Sequence, residues 1–276
     1  RLLSRTNFIP CFFFNLVIFN LLIFNLYAQQ PTQEWTAIYY GPDTSSKAYF
    51  IELDKFGNVF VAGSTYNIAS GSNIVTIKYS GSGVPQWIAV YNGPGSANDF
   101  INGMVIDDSA NIYVTGYSVG VGTGEDFITI KYNSNGIQQW AARYNSANNL
   151  PDGANSLALD NNGFVYVTGA IVIQPNGRDV ITVKYNALTG DSIWVRRFHE
   201  TGMFGNYYDY GIDIAVDNQG NCYVTGSSDA NFGPPYSDFL TIKYDPSGTF
   251  QWSQKYDGPT HYRDLSDYIR VDTSGN

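Results

Sequence analysis

Asp217-Asn-Gln-Gly-Asn-Cys-Tyr-Val-Thr-Gly226, followed by Asp238-Phe-Leu-Thr-Ile-Lys-Tyr244 and then Trp252, is the clearest copy of a pattern that fills most of the sequence. Each part reads as a strand or a turn. Alternation and β-branched or aromatic content mark the strands, while Asp first and Gly last mark a tight turn whose closing residue takes positive φ. Working outward, Trp35, Trp87, Trp140, Trp194 and Trp252 are separated by 52, 53, 54 and 58 residues. Trp-x-x-x-Tyr recurs from Trp35 to Tyr39, Trp87 to Tyr91, Trp140 to Tyr144 and Trp252 to Tyr256, with Phe198 in place of Tyr after Trp194.

Between tryptophans the order is constant. A first strand (Tyr49–Leu53, Met104–Ile106, Leu157–Leu159, Ile212–Val216, Ile269–Val271) ends at Asp54, Asp107, Asp160, Asp217 or Asp272. A second follows (Asn58–Gly63, Asn111–Gly116, Phe164–Gly169, Asn221–Gly226), then a variable loop and a third (Ile74–Tyr79, Phe127–Tyr132, Val180–Tyr185, Phe239–Tyr244). The fourth begins beside each Trp. Four antiparallel strands at a period near 50 residues describe an all-β fold, the β-propeller blade. A sheet this small cannot bury both faces alone, so blades must stack around an axis with the tryptophans as packing anchors between them. A β-solenoid, the competing architecture, has shorter repeats without two regular hairpins each.

Residues 49–91, 100–144, 154–198 and 210–256 make four complete blades, with partial strands at 35–40 and 265–276. The sequence opens on Arg1 and stops inside a repeat, so it reads as truncated. The reading expects it to continue past Asn276 with a segment like Val-Tyr-Val-Thr-Gly, to six or more blades.

Phe8–Leu26 is almost wholly Phe, Leu, Ile and Val with interspersed Asn, preceded by Arg1 and Arg5 and followed by Ala28. This is the order of a secretory signal peptide over residues 1–28, cleaved after Ala28, in preference to a transmembrane anchor, because no basic stop-transfer cluster follows. Cys11 lies in a poor acylation context. The expected location is secreted or cell-surface, with the periplasm also open, and no membrane association beyond the export signal.

Removing residues 1–28 leaves 13 basic against 24 acidic residues, a net charge of −11. That balance argues against nucleic acid as a partner, which requires concentrated Lys and Arg. Cys222 is then the one cysteine, so stability must come from burial and not from an internal disulfide.

The Asp-x-x-Gly-Asn-x-Tyr-Val-Thr-Gly, Thr-Ile-Lys-Tyr and Trp string resembles the SBBP bacterial β-propeller repeat over residues 35–276, and its first part is similar to NHL-type blades. The resemblance implies an exported or surface-attached protein, commonly with further modules. It carries no catalytic residues to transfer.

Several residues invite a chemical role. Asp99, Asp152, Asp209 and Asp264, with Ser46 in the first blade, stand eight residues before the strand-ending Asp, where they would enter the innermost strand at one mouth of the channel. Such carboxylates can converge on a cation, calcium being the one cofactor the pattern admits, or on ligand hydroxyls. They equally suit acceptance of backbone N–H groups in their own interblade loops. Lys78, Lys131, Lys184 and Lys243, with Asp126, Asp179 and Asp238 ahead of the same strands and Asn73 in the first blade, read as a repeated ion-pair or hydrogen-bond network.

Asn186-Ala-Leu-Thr-Gly-Asp-Ser-Ile-Trp194 is similar to the tryptophan-docking motif of quinone-dependent dehydrogenase propellers, but occurs once and equally describes a hairpin turn before an anchoring Trp. His199 and His261 lack metal spacing. No nucleophile elbow, zinc-protease motif or P-loop is present, and no catalytic residue is singled out. Variation concentrates in Thr65–Asn73, Tyr117–Glu125, Ala170–Arg178 and Ser227–Ser237, the last with Phe232, Pro234, Pro235 and Tyr236. Loops that vary over a constant scaffold are where specificity resides.

Three functions follow in order. The first is a non-enzymatic binding or scaffold module for surface polysaccharide or extracellular protein. The second is a propeller enzyme, a polysaccharide lyase, hydrolase or quinone-type dehydrogenase, with its site at the central channel. The third is a structural spacer in a larger surface protein.

Overall fold

The computed structural model describes residues 33–174, 177–200, 208–229, 237–259 and 262–272. The expected leader, with Cys11 and the cleavage expected after Ala28, lies outside them, as do His261, Phe232, Pro234, Pro235 and Tyr236. The chain divides into Arg1–Glu34 and Trp35–Asn276, and every strand among the described residues lies in the second unit.

Blade 1 comprises β1 (Ser46–Leu53), β2 (Val59–Asn67), β3 (Gly71–Tyr79) and β4 (Pro85–Tyr91). Blade 2 comprises β5 (Asp99–Ile106), β6 (Ile112–Gly120), β7 (Gly124–Tyr132) and β8 (Gln138–Tyr144). Blade 3 has β9 (Asp152–Leu159), β10 (Phe164–Ile173), β11 (Gly177–Asn186) and β12 (Ser192–Phe198), and blade 4 has β13 (Asp209–Val216), β14 (Cys222–Ser228), β15 (Asp238–Tyr244) and β16 (Phe250–Tyr256). Each blade is a four-stranded antiparallel sheet in sequential order. The first strands β1, β5, β9 and β13 line a common cavity of about 790 Å³ and so form the inner edge of the blades.

The core lies between blades. One buried cluster joins Phe60, Ala62 and Ile74 of blade 1 to Ile101, Met104 and Ile128 of blade 2. A second joins Tyr113, Phe127 and Trp140 to Val165, Val183 and Tyr185 of blade 3, and a third joins Tyr166, Val180 and Trp194 to Val224, Leu240 and Tyr244 of blade 4. Cys222 is fully buried in the third, where its thiol behaves as a small hydrophobe and desolvation raises its pKa.

The tryptophans make these interfaces specific. Trp87 Nε1 donates to Ser134 O at 3.0 Å, Trp140 to Ala187 O at 3.2 Å and Trp194 to Pro246 O at 3.2 Å, each acceptor lying in the turn before the next blade's fourth strand. Trp35 donates likewise to Gly81 O at 3.1 Å. Each indole also meets a tyrosine at the end of the next blade's third strand, as Trp140 meets Tyr185 with ring centroids 6.4 Å apart. Gly136 has φ 78° in the turn beneath Trp87, and a Cβ there would come within 2.6 Å of the indole ring. Glycine is required twice at that turn, for its backbone and for the ring's approach.

Two sequence expectations change. Trp35–Tyr40 and 265–272 form no ladder among the described residues. They are held by other contacts: Trp35 by its indole bond, and 265–272 by Ser266 Oγ to Gly226 O at 2.9 Å and Ile269 N to Asp213 Oδ2 at 3.0 Å. Thr65–Asn73, Tyr117–Glu125 and Ala170–Arg178, read as loops, are mostly paired strand, because β-branched and aromatic residues carry each hairpin to a short tip.

Trp140 is 9% exposed and Trp252 37% exposed, so their truncations are expected to differ. Trp140→Ala should cost about 3–5 kcal/mol in urea unfolding, and Trp252→Ala less than about half of that.

Candidate functional site: a slot beside the channel mouth

The repeated residues make bonds in turns and between blades. Asp107 Oδ1 accepts the amides of Ser109 and Asn111, both at 2.9 Å, and Asp54, Asp160 and Asp217 close the same turn in their blades. At Asp217 desolvation opposes ionisation, yet the bonds from the Asn221 side chain and from the Asn221 and Gln219 amides outweigh it and hold the carboxyl below its ordinary value.

Asp99, Asp152, Asp209 and Asp264 open the inner strands or their equivalent. Asp99, Asp152 and Asp209 are almost wholly buried. Each of the four accepts a backbone amide from its own interblade loop: Gly93 N at 2.8 Å, Ser146 N at 2.5 Å, Glu200 N at 2.8 Å and Gly258 N at 2.6 Å. None of the four lines the central cavity, and no group of three or more His, Cys, Asp or Glu side chains placed to hold a metal occurs among the described residues. Burial raises Asp209 to about 6, against the lowering effects of the nearby Ser228 hydroxyl and of the Glu200 amide bond, with the charges of Asp179 and Glu200 adding to the rise.

The lysines and the aspartates ahead of them serve separate networks. Lys131 Nζ donates to Ala187 O at 2.7 Å and Lys184 Nζ to Pro246 O at 3.0 Å, the same carbonyls that the tryptophans use, while each ammonium lies over an aromatic ring of its own blade. Lys78 shares Ser134 O in the same way at 3.4 Å. Desolvation lowers the pKa of both Lys131 and Lys184. Asp126 instead pairs with Arg143 at 2.7 Å, Asp179 with Arg197, and Asp238 with Lys255 at 3.8 Å. The sequence held a signal for this pairing. Three residues after each Trp stand Val90, Arg143, Arg197 and Lys255, so the base is missing only in the blade where Asn73 replaces Asp. Thr189-Gly190 is a hairpin turn, and Gly190 packs under Trp140 of the preceding blade and not under Trp194.

Outside these networks, one cavity of about 210 Å³ opens beside the channel and shares Asn102 and Asn155 with it. Tyr117 of β6 and Tyr210 of β13 flank it, Glu125 of β7 and Arg178 of β11 contribute opposite charges, and Asp152, Gly153 and Ala170 of blade 3 complete it. Asn102 Nδ2 donates to Ala154 O at 2.8 Å and Asn155 Nδ2 to Gly211 O at 2.7 Å, which fixes both carboxamides. The Arg178 guanidinium lies over the Tyr210 ring, 5.6 Å from its centroid. Tyr117 is raised by desolvation and then by the neighbouring Glu125 carboxylate. The arrangement offers two phenols, two amides, two carboxylates, of which Asp152 is buried, and a planar donor to a small polar guest.

Residues 87–121 and 193–233 match the family described as SBBP, Beta-propeller repeat. These two segments are SBBP beta-propeller repeats. The matched segments run from the anchoring Trp87 and from beside Trp194 through the second strand of the following blade, which are the parts that build the interblade contact. No curated protein matches the chain. Among solved structures, a protein of unknown function from Dyadobacter fermentans is similar at TM-score 0.51 and 12% identity, over 76% of this chain and 69% of that one. BamB from Moraxella catarrhalis is similar at TM-score 0.32 and 13% identity over 76% and 65%, and a GH43_12 protein from a capybara gut metagenome at TM-score 0.37 and 13% identity over 75% and 41%. The first likeness is one of fold, and the other two are too loose in shape to bear on function.

Asp209 supplies a test of the buried-carboxylate reading. Its folded pKa is raised, so the stability it contributes is present at low pH and is lost as pH rises through about 6. Relative to Asp209→Asn, the natural chain should gain roughly 2–3 kcal/mol between pH 7 and pH 4 in urea titrations, and parallel pH profiles would contradict this.

Proposed function

We propose that the chain is an exported or cell-surface propeller that binds a surface polysaccharide or an extracellular protein without transforming it. The carrying observation is a contrast between repetition and a local break. The turn aspartates, the lysines, the tryptophans and the strand-opening aspartates repeat from blade to blade and serve turns or interfaces. The slot beside the channel departs from the repeat in charge and in size at once, which a purely structural position does not need. Its polar lining and open side suit recognition, and its charged pair is not arranged as a nucleophile with a base. The acidic balance of the sequence and the basic-then-apolar leader support an extracellular setting.

The test is an array of bacterial surface polysaccharides and extracellular proteins probed with the chain, followed by recovery of any captured ligand. Binding with the ligand returned chemically unchanged after prolonged incubation is the expected result. Cleaved, eliminated or oxidised ligand would replace this reading with the enzyme, and silence across the array would favour the spacer.

A further inference from the structure

The slot between Tyr117 and Tyr210 owes its volume to one blade. At the second residue of the inner strand the blades carry Lys47, Phe100, Gly153 and Tyr210, and at the facing position of the second strand they carry Ser64, Tyr117, Ala170 and Ser227. Gly153 and Ala170 are cross-strand partners, so blade 3 is small at both places where blade 2 packs Phe100 against Tyr117, ring centroids 5.0 Å apart and planes tilted by 34°. The glycine is not demanded by packing. A Cβ on Gly153 would meet nothing closer than Tyr117 Cδ1 at 3.8 Å, an ordinary contact, whereas on Gly169 in the same blade it would come within 2.0 Å of a backbone oxygen. Nor does Gly153 hold a positive φ.

Charge breaks the repeat at the same place. The residue before the third-strand Asp or Asn is Ser72, Glu125, Arg178 or Ser237, so the two charged versions fall in the adjacent blades that border the slot. Among the described residues neither Glu125 nor Arg178 has an ion-pair partner, although Asp126 and Asp179 beside them are both paired. A carboxylate, a guanidinium and two backbone-tethered carboxamides therefore surround a space walled by two phenol rings. Glu125 and Arg178 offset each other, and the third ionisable group of the lining, Asp152, is buried on the Ser146 amide with its pKa raised by desolvation, which together favour a guest without net charge.

We propose that this slot binds a single neutral hexopyranose unit of an extracellular glycan. The ring's C–H face would lie against a tyrosine, as apolar faces do on aromatic rings. Its hydroxyl edge would give protons to Glu125 and accept them from Arg178, with the carboxamides of Asn102 and Asn155 completing the set. At about 210 Å³ the space is below the range of pockets for larger organic ligands and suits one sugar ring. The inference rests on the binding-module reading and names the ligand class of the same site.

The experiment is saturation-transfer NMR on the chain with methyl glycosides of neutral hexoses and, separately, with free amino acids, whose paired charges fit the same rim. Two variants restore the sister-blade residues, Gly153→Phe to fill the slot and Arg178→Ser to remove its donor. The expected result is transfer to the ring protons of at least one glycoside, abolished in Gly153→Phe and weakened at least about tenfold in Arg178→Ser. Arg178 is partly exposed and stands on β11 six residues before Lys184, the partner of Trp194, so it decides the matter if the glycine variant does not fold. Absence of transfer to every glycoside, binding unchanged in Arg178→Ser, or amino acids taking the slot instead would overturn the proposal. Array binding that survives both variants would remove the slot while leaving the binding module standing.

Discussion

A single carbonyl oxygen in each turn before a blade's fourth strand fixes that blade to its predecessor. It accepts the indole N–H of the preceding blade's tryptophan and the ammonium of the lysine paired with that tryptophan across two strands. Both donors would be costly to bury alone, and both are satisfied by one backbone group that the turn leaves unpaired. The indole then fills the space between an aromatic residue of its own second strand and the tyrosine that ends the next blade's third strand, as Trp140 does between Tyr113 and Tyr185. Hydrogen bond, aromatic contact and glycine clearance meet at one point, which is why the spacing of tryptophans varies so little. Trp252 shows the same unit half built. It has Tyr223 on one side, and among the described residues no acceptor for its N–H.

That unit explains how much was legible in advance. The strands, the turns and the propeller architecture follow from alternation, Asp and Gly placement and the tryptophan period, all local signals. The shared acceptor was not legible, because Lys131 and Trp140 meet only through the register of β7 with β8, and their carbonyl, that of Ala187, belongs to another blade. The aspartates before the third strands were recognised as repeated, but their partners were sought among the lysines. The pairing of Asp126 with Arg143 could have been found by noticing that Asn73 and Val90 change together. Asp99 and its counterparts lie where the sequence puts them, at the opening of the inner strands. Which way each carboxylate turns depended on the loop amides six to nine residues before it.

The slot was the least visible feature. Periodicity directs attention to what repeats, and Gly153, Ala170, Glu125 and Arg178 matter because they do not. None is unusual by itself. Their significance comes from stacking blades 2, 3 and 4 so that positions about fifty residues apart line one space. A scaffold whose stability is invested in the tryptophan contacts can vary these rim residues freely, which separates the part of the repeat that folds from the part that recognises.

Hydrogen exchange at the five indole N–H groups, followed by 15N-resolved NMR, examines the interblade contact most directly. The account predicts slow exchange for Trp87, Trp140 and Trp194, whose N–H groups end on a neighbouring blade, and fast exchange for Trp252. Uniform exchange across these four would contradict it, since the indoles would then be fillers of the core and not the bonds that order the blades.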